Sequence, residues 1–128
     1  TDRFKCAVIG APVTNIASFY GTADIGVNFG ERQMGGSRPD NKDEYDFRSP
    51  LNYAENVDTP ALLMHGDADY RVPISQSEEY FVTLKRLGKI VEFVRFPGQN
   101  HGLMRNGDLK MRKEYLARML SWIDTYTK

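Results

Sequence analysis

The sequence predicts an α/β fold, a parallel sheet with flanking helices, and three observations carry that prediction. Two short apolar runs, Cys6-Ala7-Val8-Ile9-Gly10-Ala11 and Ala61-Leu62-Leu63-Met64, lack the polar alternation of a strand with one wet face. Strands covered on both faces of a parallel sheet read this way. A segment of helical spacing separates the second run from a further strand-like stretch, Ile90 to Phe96. Strand, helix and strand then form one unit, which is parallel and right-handed in nearly all known proteins. Finally, the runs stop at punctuation: Pro12, His65-Gly66 and Pro97-Gly98, residues that favour turns over continued strand.

The first strand is Cys6 to Ala11, small and apolar, expected to be buried on both faces. From about Asn15 to Pro60 no single period holds; Gly21, Gly26, Gly30, Gly35 and Gly36 interrupt it, and Ser37 to Glu44 is a polar surface loop. Short helical pieces are expected around Ile16 to Tyr20 and Tyr45 to Tyr53. Pro60 opens the central strand, Ala61 to Met64, which ends at Gly66. Ser75 with Glu78 predicts a capping box, Ser77, Tyr80, Phe81, Leu84 and Leu87 mark the inner face of the helix, and Gly88 ends it. Ile90 to Phe96 mixes β-branched and aromatic residues with Glu92 and Arg95, as a strand near a sheet edge does. The last helix runs from a cap at Asp108 to Tyr126, with Tyr115, Leu116, Met119, Leu120, Ile123 and Tyr126 toward the sheet.

Composition narrows the function. A chain of 128 residues is the size of one domain, enough to bury roughly two thirds of its unfolded surface. Its 17 Lys and Arg balance 17 Asp and Glu, so no basic field exists to attract nucleic acid, and none is expected as a partner. No stretch approaches the ~20 apolar residues that span a bilayer, so no membrane partner is expected either. The single cysteine, Cys6, cannot form an intrachain disulfide; a cytoplasmic setting is the expectation. Thr1-Asp2-Arg3-Phe4 reads like the interior of a longer chain, so an upstream segment is expected, and any signal peptide would lie there.

The chemistry concentrates in two turns, His65-Gly66-Asp67-Ala68-Asp69-Tyr70-Arg71-Val72-Pro73 and Asn100-His101-Gly102. In a parallel sheet all strands end on one edge and neighbours lie about 4.8 Å apart. The loops after Met64 and after Phe96 therefore emerge side by side, where ligands of open α/β sheets bind. Asp69 and His101 can meet there. The carboxylate would hold the imidazole tautomer by accepting the Nδ1 proton, and Nε2 would serve as general base and then general acid.

These motifs resemble the prolyl oligopeptidase type of serine peptidases, especially the acylaminoacyl-peptidase and dipeptidyl-peptidase branches. Asp2 to Val8 is similar to the segment after their nucleophile helix, and Arg48 to Ala54 with Thr59 to Gly66 is similar to the approach to their acid. The resemblance covers nearly the whole chain. It implies that residues 1–128 are the C-terminal portion of an α/β-hydrolase peptidase domain, incomplete without upstream strands. It also implies that Asp69, four residues after the His of His-Gly and three before the Val of Val-Pro, is the acid, with His101 as the base. Asp67 is then a turn former bonding nearby backbone N–H groups, and His65 is structural. Val13, Ile16, Phe19 and Val72 would line the slot for the side chain before the scissile bond, and no cofactor is implied.

One part of the family pattern is missing. No Gly-x-Ser-x-Gly turn, which would expose a nucleophile above the sheet, occurs in the 128 residues. The oxyanion donors and the β-propeller of relatives are also expected upstream. This polypeptide alone is therefore expected to be inactive, and peptide substrate to bind only the complete enzyme. Three alternatives remain: a carboxylesterase of the same fold; a Zn²⁺ or Mn²⁺ hydrolase using His65, Asp67, Asp69 and His101; and a non-catalytic assembly piece. The first strand is expected to pair with the rest of the catalytic domain or with a second copy of the chain.

Overall fold

The computed structural model describes residues 3–128; Thr1 and Asp2, where the family-like segment opens, lie outside the described residues. Its order is β1 (Ala7–Gly10), α1 (Ile16–Thr22), α2 (Gly26–Met34), α3 (Lys42–Phe47), a 3₁₀ turn (Pro50–Asn56), β2 (Ala61–Gly66), α4 (Ser75–Arg86), β3 (Val91–Phe96), α5 (Leu103–Asn106) and α6 (Leu109–Thr127). The strands form one parallel sheet in the order β1-β2-β3, with Leu63 opposite Ile9 on one side and Phe93 on the other.

Position in the sheet decides burial. All six residues of β2 are buried, as the unbroken apolar run requires of a central strand. The first strand departs from expectation: Ala7 to Ile9 are only half-buried and Gly10 is exposed. The reason is that β1 is an edge. In its register Ala7 and Ala11 donate to β2-side carbonyls, Pro60 at 2.8 Å and Met64 at 3.0 Å. By parallel alternation, Val8 and Gly10 turn their backbone groups to the open side.

Two layers of side chains cover the sheet. On one face Leu63, Ala61 and Val91 pack with Tyr80 and Leu84 of α4. On the other, Leu62, Met64 and Phe96 pack with Leu103 of α5 and Trp122 of α6, joined by Met111, Tyr115, Met119 and Tyr126. The α6 stripe thus differs from the expected one. Leu116 and Leu120 are exposed and Trp122 is buried, because the stripe at 111, 115, 119, 122 and 126 is the one that meets β2 and β3.

Helix α4 keeps its predicted end and loses its predicted start. Gly88, at φ 72°, takes the left-handed conformation, while Lys89 N–H donates to the Leu84 carbonyl and Gly88 N–H to Lys85, a Schellman pair. At the start, the Pro73 and Ile74 carbonyls already accept from Gln76 and Ser77 N–H. Ser75 is therefore inside the first turn, no side chain caps it, and Glu78 pairs with Arg95 of β3 at 2.6 Å. Asp108 does cap α6, accepting from Lys110 and Met111 N–H.

A buried amide ties the segment after β1 to α4. Gln76 Oε1 accepts from Thr14 N–H at 3.0 Å and Asn15 N–H at 2.8 Å, and its Nε2 donates to Ser18 Oγ at 2.7 Å. Gln76→Ala strands these N–H groups, Thr14 being fully buried. The expected loss is about 2 kcal/mol or more of unfolding free energy, measurable by urea denaturation; an unchanged midpoint would show that the clamp is idle. Among the described residues, no helix is long and apolar enough to cross a membrane.

Candidate active site

The carboxyl ends of β2 and β3 carry the two chemically expressive turns, and backbone bonds join them. Asp67 N–H donates to the Phe96 carbonyl at 3.2 Å and Ala68 N–H to the Gln99 carbonyl at 3.0 Å. Asp67 Oδ1 accepts from Gly98 N–H at 2.7 Å. This close approach needs Gly66, where an added Cβ would stand 2.1 Å from the Gln99 carbonyl oxygen. A further tether, from Asp24 N–H to the Tyr70 carbonyl at 3.0 Å with an Asp24–Arg71 ion pair at 2.8 Å, holds the first turn to the α1–α2 link.

Within that frame Asp69 and His101 meet: His101 Nδ1 lies 2.9 Å from Asp69 Oδ2. The carboxylate is withdrawn from water, with its side chain 0% exposed, while the imidazole is 38% exposed. Asp69 Oδ1 accepts from Arg71 N–H at 3.0 Å and Val72 N–H at 2.9 Å. Two donors on one oxygen fix the carboxylate plane, so the other oxygen is presented to the imidazole. Since Nδ1 faces a carboxylate, it carries the proton, and Nε2 is left with a lone pair. Among the described residues no serine hydroxyl bonds to that nitrogen.

A cavity of about 200 Å³ opens beside the pair, walled by Gly10, Ala11, Met64, Gly66, His101, Met104 and Tyr115 among others. Ala11, at φ 43°, is the one described non-glycine residue with positive φ; such a conformation costs about 1–2 kcal/mol and turns the chain sharply out of β1 at the cavity lip. Val13, Ile16, Phe19 and Val72 are not in this wall. Phe19 and Val72 are buried, at 2% and 5% exposure, and Val13 and Ile16 are half-buried.

His65 lies under the site, 1% exposed. Its Nε2 is 2.9 Å from the Val72 carbonyl and 3.2 Å from Asp69 Oδ2, and its Nδ1 is 2.7 Å from Ser77 Oγ. Burial pushes its pKa below the ordinary 6.5, against the opposing pull of the Val72 carbonyl and the Asp69 carboxylate. The unfolded chain therefore takes up a proton that folded His65 refuses, so stability is complete above the unfolded value and falls as pH drops below it. Denaturation midpoints at about pH 7.5 and about pH 5 should differ less in His65→Gln than in the parent; equal differences would assign the acid sensitivity elsewhere. The arrangement needed for a metal does not form: Asp67 turns to Gly98, both histidines face Asp69, and no group of three or more His, Cys, Asp or Glu among the described residues could hold an ion.

Sequence reasoning missed Gln76 as the clamp and Ser77 as the partner of His65. The available signal was two polar residues at the start of a helix whose inner face is otherwise apolar.

The chain is 41% identical over 126 residues to Uncharacterized peptidase YuxL of Bacillus subtilis (strain 168), covering 98% of this chain and 19% of that protein. It is 30% identical to the Acylamino-acid-releasing enzyme of Rattus norvegicus, covering 98% of this chain and 18% of the enzyme. The chain thus spans about a fifth of the length of these relatives. Among solved structures, Pyrococcus horikoshii acylaminoacyl peptidase superposes with a TM-score of 0.92 at 31% identity, over 98% of this chain and 20% of that one. The fold is accordingly that of an α/β-hydrolase, with its parallel strands and flanking helices. The profile of the Prolyl oligopeptidase family matches residues 1–128, and the chain belongs to that family of serine peptidases.

Proposed function

We propose that this chain supplies the acid, Asp69, and the general base, His101, of a Ser-His-Asp triad in a peptidase acting on short or N-acylated peptides. The observation that carries the reading is the 2.9 Å contact between a buried carboxylate and a half-exposed imidazole. Asp69 orients the ring; His101 Nε2 takes the serine proton during attack and returns it to the leaving amine. The serine and the oxyanion donors come from a segment outside these 128 residues. That segment pairs with the open side of β1, where Val8 and Gly10 have no strand neighbour among the described residues. Its arrival would bring a hydroxyl to the cavity bounded by Gly10, Ala11 and His101.

Of the four residues that the resemblance suggests for the side chain before the scissile bond, Val13 and Ile16 are half-buried and keep surface to offer, and Phe19 and Val72 are buried. The N-acyl preference rests on relatives named as acylamino-acid-releasing enzymes and an acylaminoacyl peptidase. A cytoplasmic setting fits the lone free cysteine, Cys6. Treating the purified 128-residue polypeptide with a fluorophosphonate should give no serine adduct by mass spectrometry. The complete peptidase should release N-acetylated residues from peptide anilides. Activity confined to simple esters would favour a carboxylesterase instead.

A further inference from the structure

We propose that His65, held by Ser77, is a positioning residue for the acid: it is the fourth hydrogen-bond donor to the buried Asp69 carboxylate and sets the oxygen that His101 uses. The inference rests on the triad reading above. Its starting point is that the Asp69 carboxylate is withdrawn from bulk solvent, its side chain being fully buried, so its hydrogen bonds come from the protein groups around it. A carboxylate offers about four lone-pair sites. Backbone N–H groups of Arg71 and Val72 occupy Oδ1, and His101 Nδ1 takes one site on Oδ2. The remaining donor is His65 Nε2 at 3.2 Å.

The tautomer of His65 follows from its neighbours. Nε2 faces only acceptors, the Asp69 carboxylate and the Val72 carbonyl, so the proton belongs there. Nδ1 is left to accept from the Ser77 hydroxyl, 2.7 Å away on α4. Ser77 is 0% exposed, so no solvent competes for the bond. Helix α4 therefore fixes the His65 ring, and the ring fixes both Asp69 Oδ2 and, through the Val72 carbonyl, the loop whose N–H groups hold Oδ1. Two histidines converge on one oxygen from opposite roles: His101 reaches solvent, and His65 is sealed beneath it. An ordinary core histidine would satisfy its N–H on a carbonyl alone; here the same N–H also reaches the acid.

The test uses the complete peptidase and steady-state kinetics on one N-acetylated substrate. His65→Leu, which removes the donor, should lower kcat by about 10- to 100-fold, the scale of a sub-ångström misplacement of a reacting group. KM should stay within about two-fold, since no substrate contact is lost. His65→Gln retains an N–H near the Nε2 position and should recover kcat to within about five-fold of the parent. Should His65→Leu not fold, Ser77→Ala is the gentler variant. It should lower kcat by about three- to ten-fold, and the ¹⁵N spectrum of His65 should shift from the pure Nε2–H form toward a tautomer mixture. Parental kcat in folded His65→Leu, or in Ser77→Ala with the tautomer mixture observed, would overturn the proposal, as would a Gln variant no better than Leu. Asp69→Asn in the same assay separates the two readings. If it is inactive while His65→Leu is not, only the positioning role fails; if it is active, the triad reading fails with it.

Discussion

Asp69→Asn in the complete peptidase is expected to lower kcat by about 10⁴-fold with the fold intact. The surroundings of the carboxylate dictate how the amide must sit. Arg71 and Val72 N–H groups both point at Oδ1, so the asparagine oxygen stays there and its NH₂ takes the place of Oδ2. That NH₂ faces His101 Nδ1, which must then accept a hydrogen bond and carry its proton on Nε2. An Nε2 already protonated cannot take the proton of a serine. The variant is isosteric and keeps both backbone bonds, and His65 Nε2–H, which would face the new NH₂, retains the Val72 carbonyl as acceptor. Its unfolding midpoint should therefore fall less than that of alanine, which would leave the Arg71 and Val72 N–H groups without their acceptor. Asp67→Asn is the control: a carbonyl oxygen can still accept from Gly98 N–H, and kcat should hold within about three-fold. A large loss at Asp67 with none at Asp69 would reverse the assignment.

His101→Ala should cost at least as much, about 10⁴-fold or more in kcat, because it removes the base itself. The side chain is 38% exposed and makes its one described hydrogen bond to Asp69, so little packing is lost. Members of one proton-transfer unit are not additive: the double variant Asp69→Asn with His101→Ala should be no slower than His101→Ala alone. A further drop in the double variant would mean that Asp69 acts through something other than this imidazole.

Much of this is legible in the sequence, and the reasons are physical. The parallel pairing of Ala61 to Met64 with Ile90 to Phe96 and the adjacency of the two turns follow from the strand-helix-strand unit that they form, which leaves little freedom once both are read as strands. The choice of Asp69 over Asp67 came from family resemblance, since both lie in one turn and periodicity does not separate them. Helix α2 was hidden because Gly26 and Gly30 read as breakers. In the fold they are contact points: a Cβ on Gly26 would stand 2.4 Å from the Phe19 carbonyl oxygen, and one on Gly30 2.9 Å from the Tyr20 and Tyr45 side chains. Close packing of α2 on α1 uses them as spacers. The half-exposure of β1 agrees with the open edge expected of it, although the apolar run alone reads as a strand covered on both faces. Gln76 and Ser77 escaped because their long-range partners, Thr14 and His65, are far away in sequence.

The most direct test of the account is to treat the complete peptidase with a fluorophosphonate, map the adduct by mass spectrometry, and repeat the labelling with His101→Ala. The account predicts one modified serine, outside residues 1–128, whose labelling rate falls by about three orders of magnitude or more in the variant. An adduct on Ser18, Ser37, Ser49, Ser75, Ser77 or Ser121 of this chain, or labelling that proceeds unchanged without His101, would contradict it.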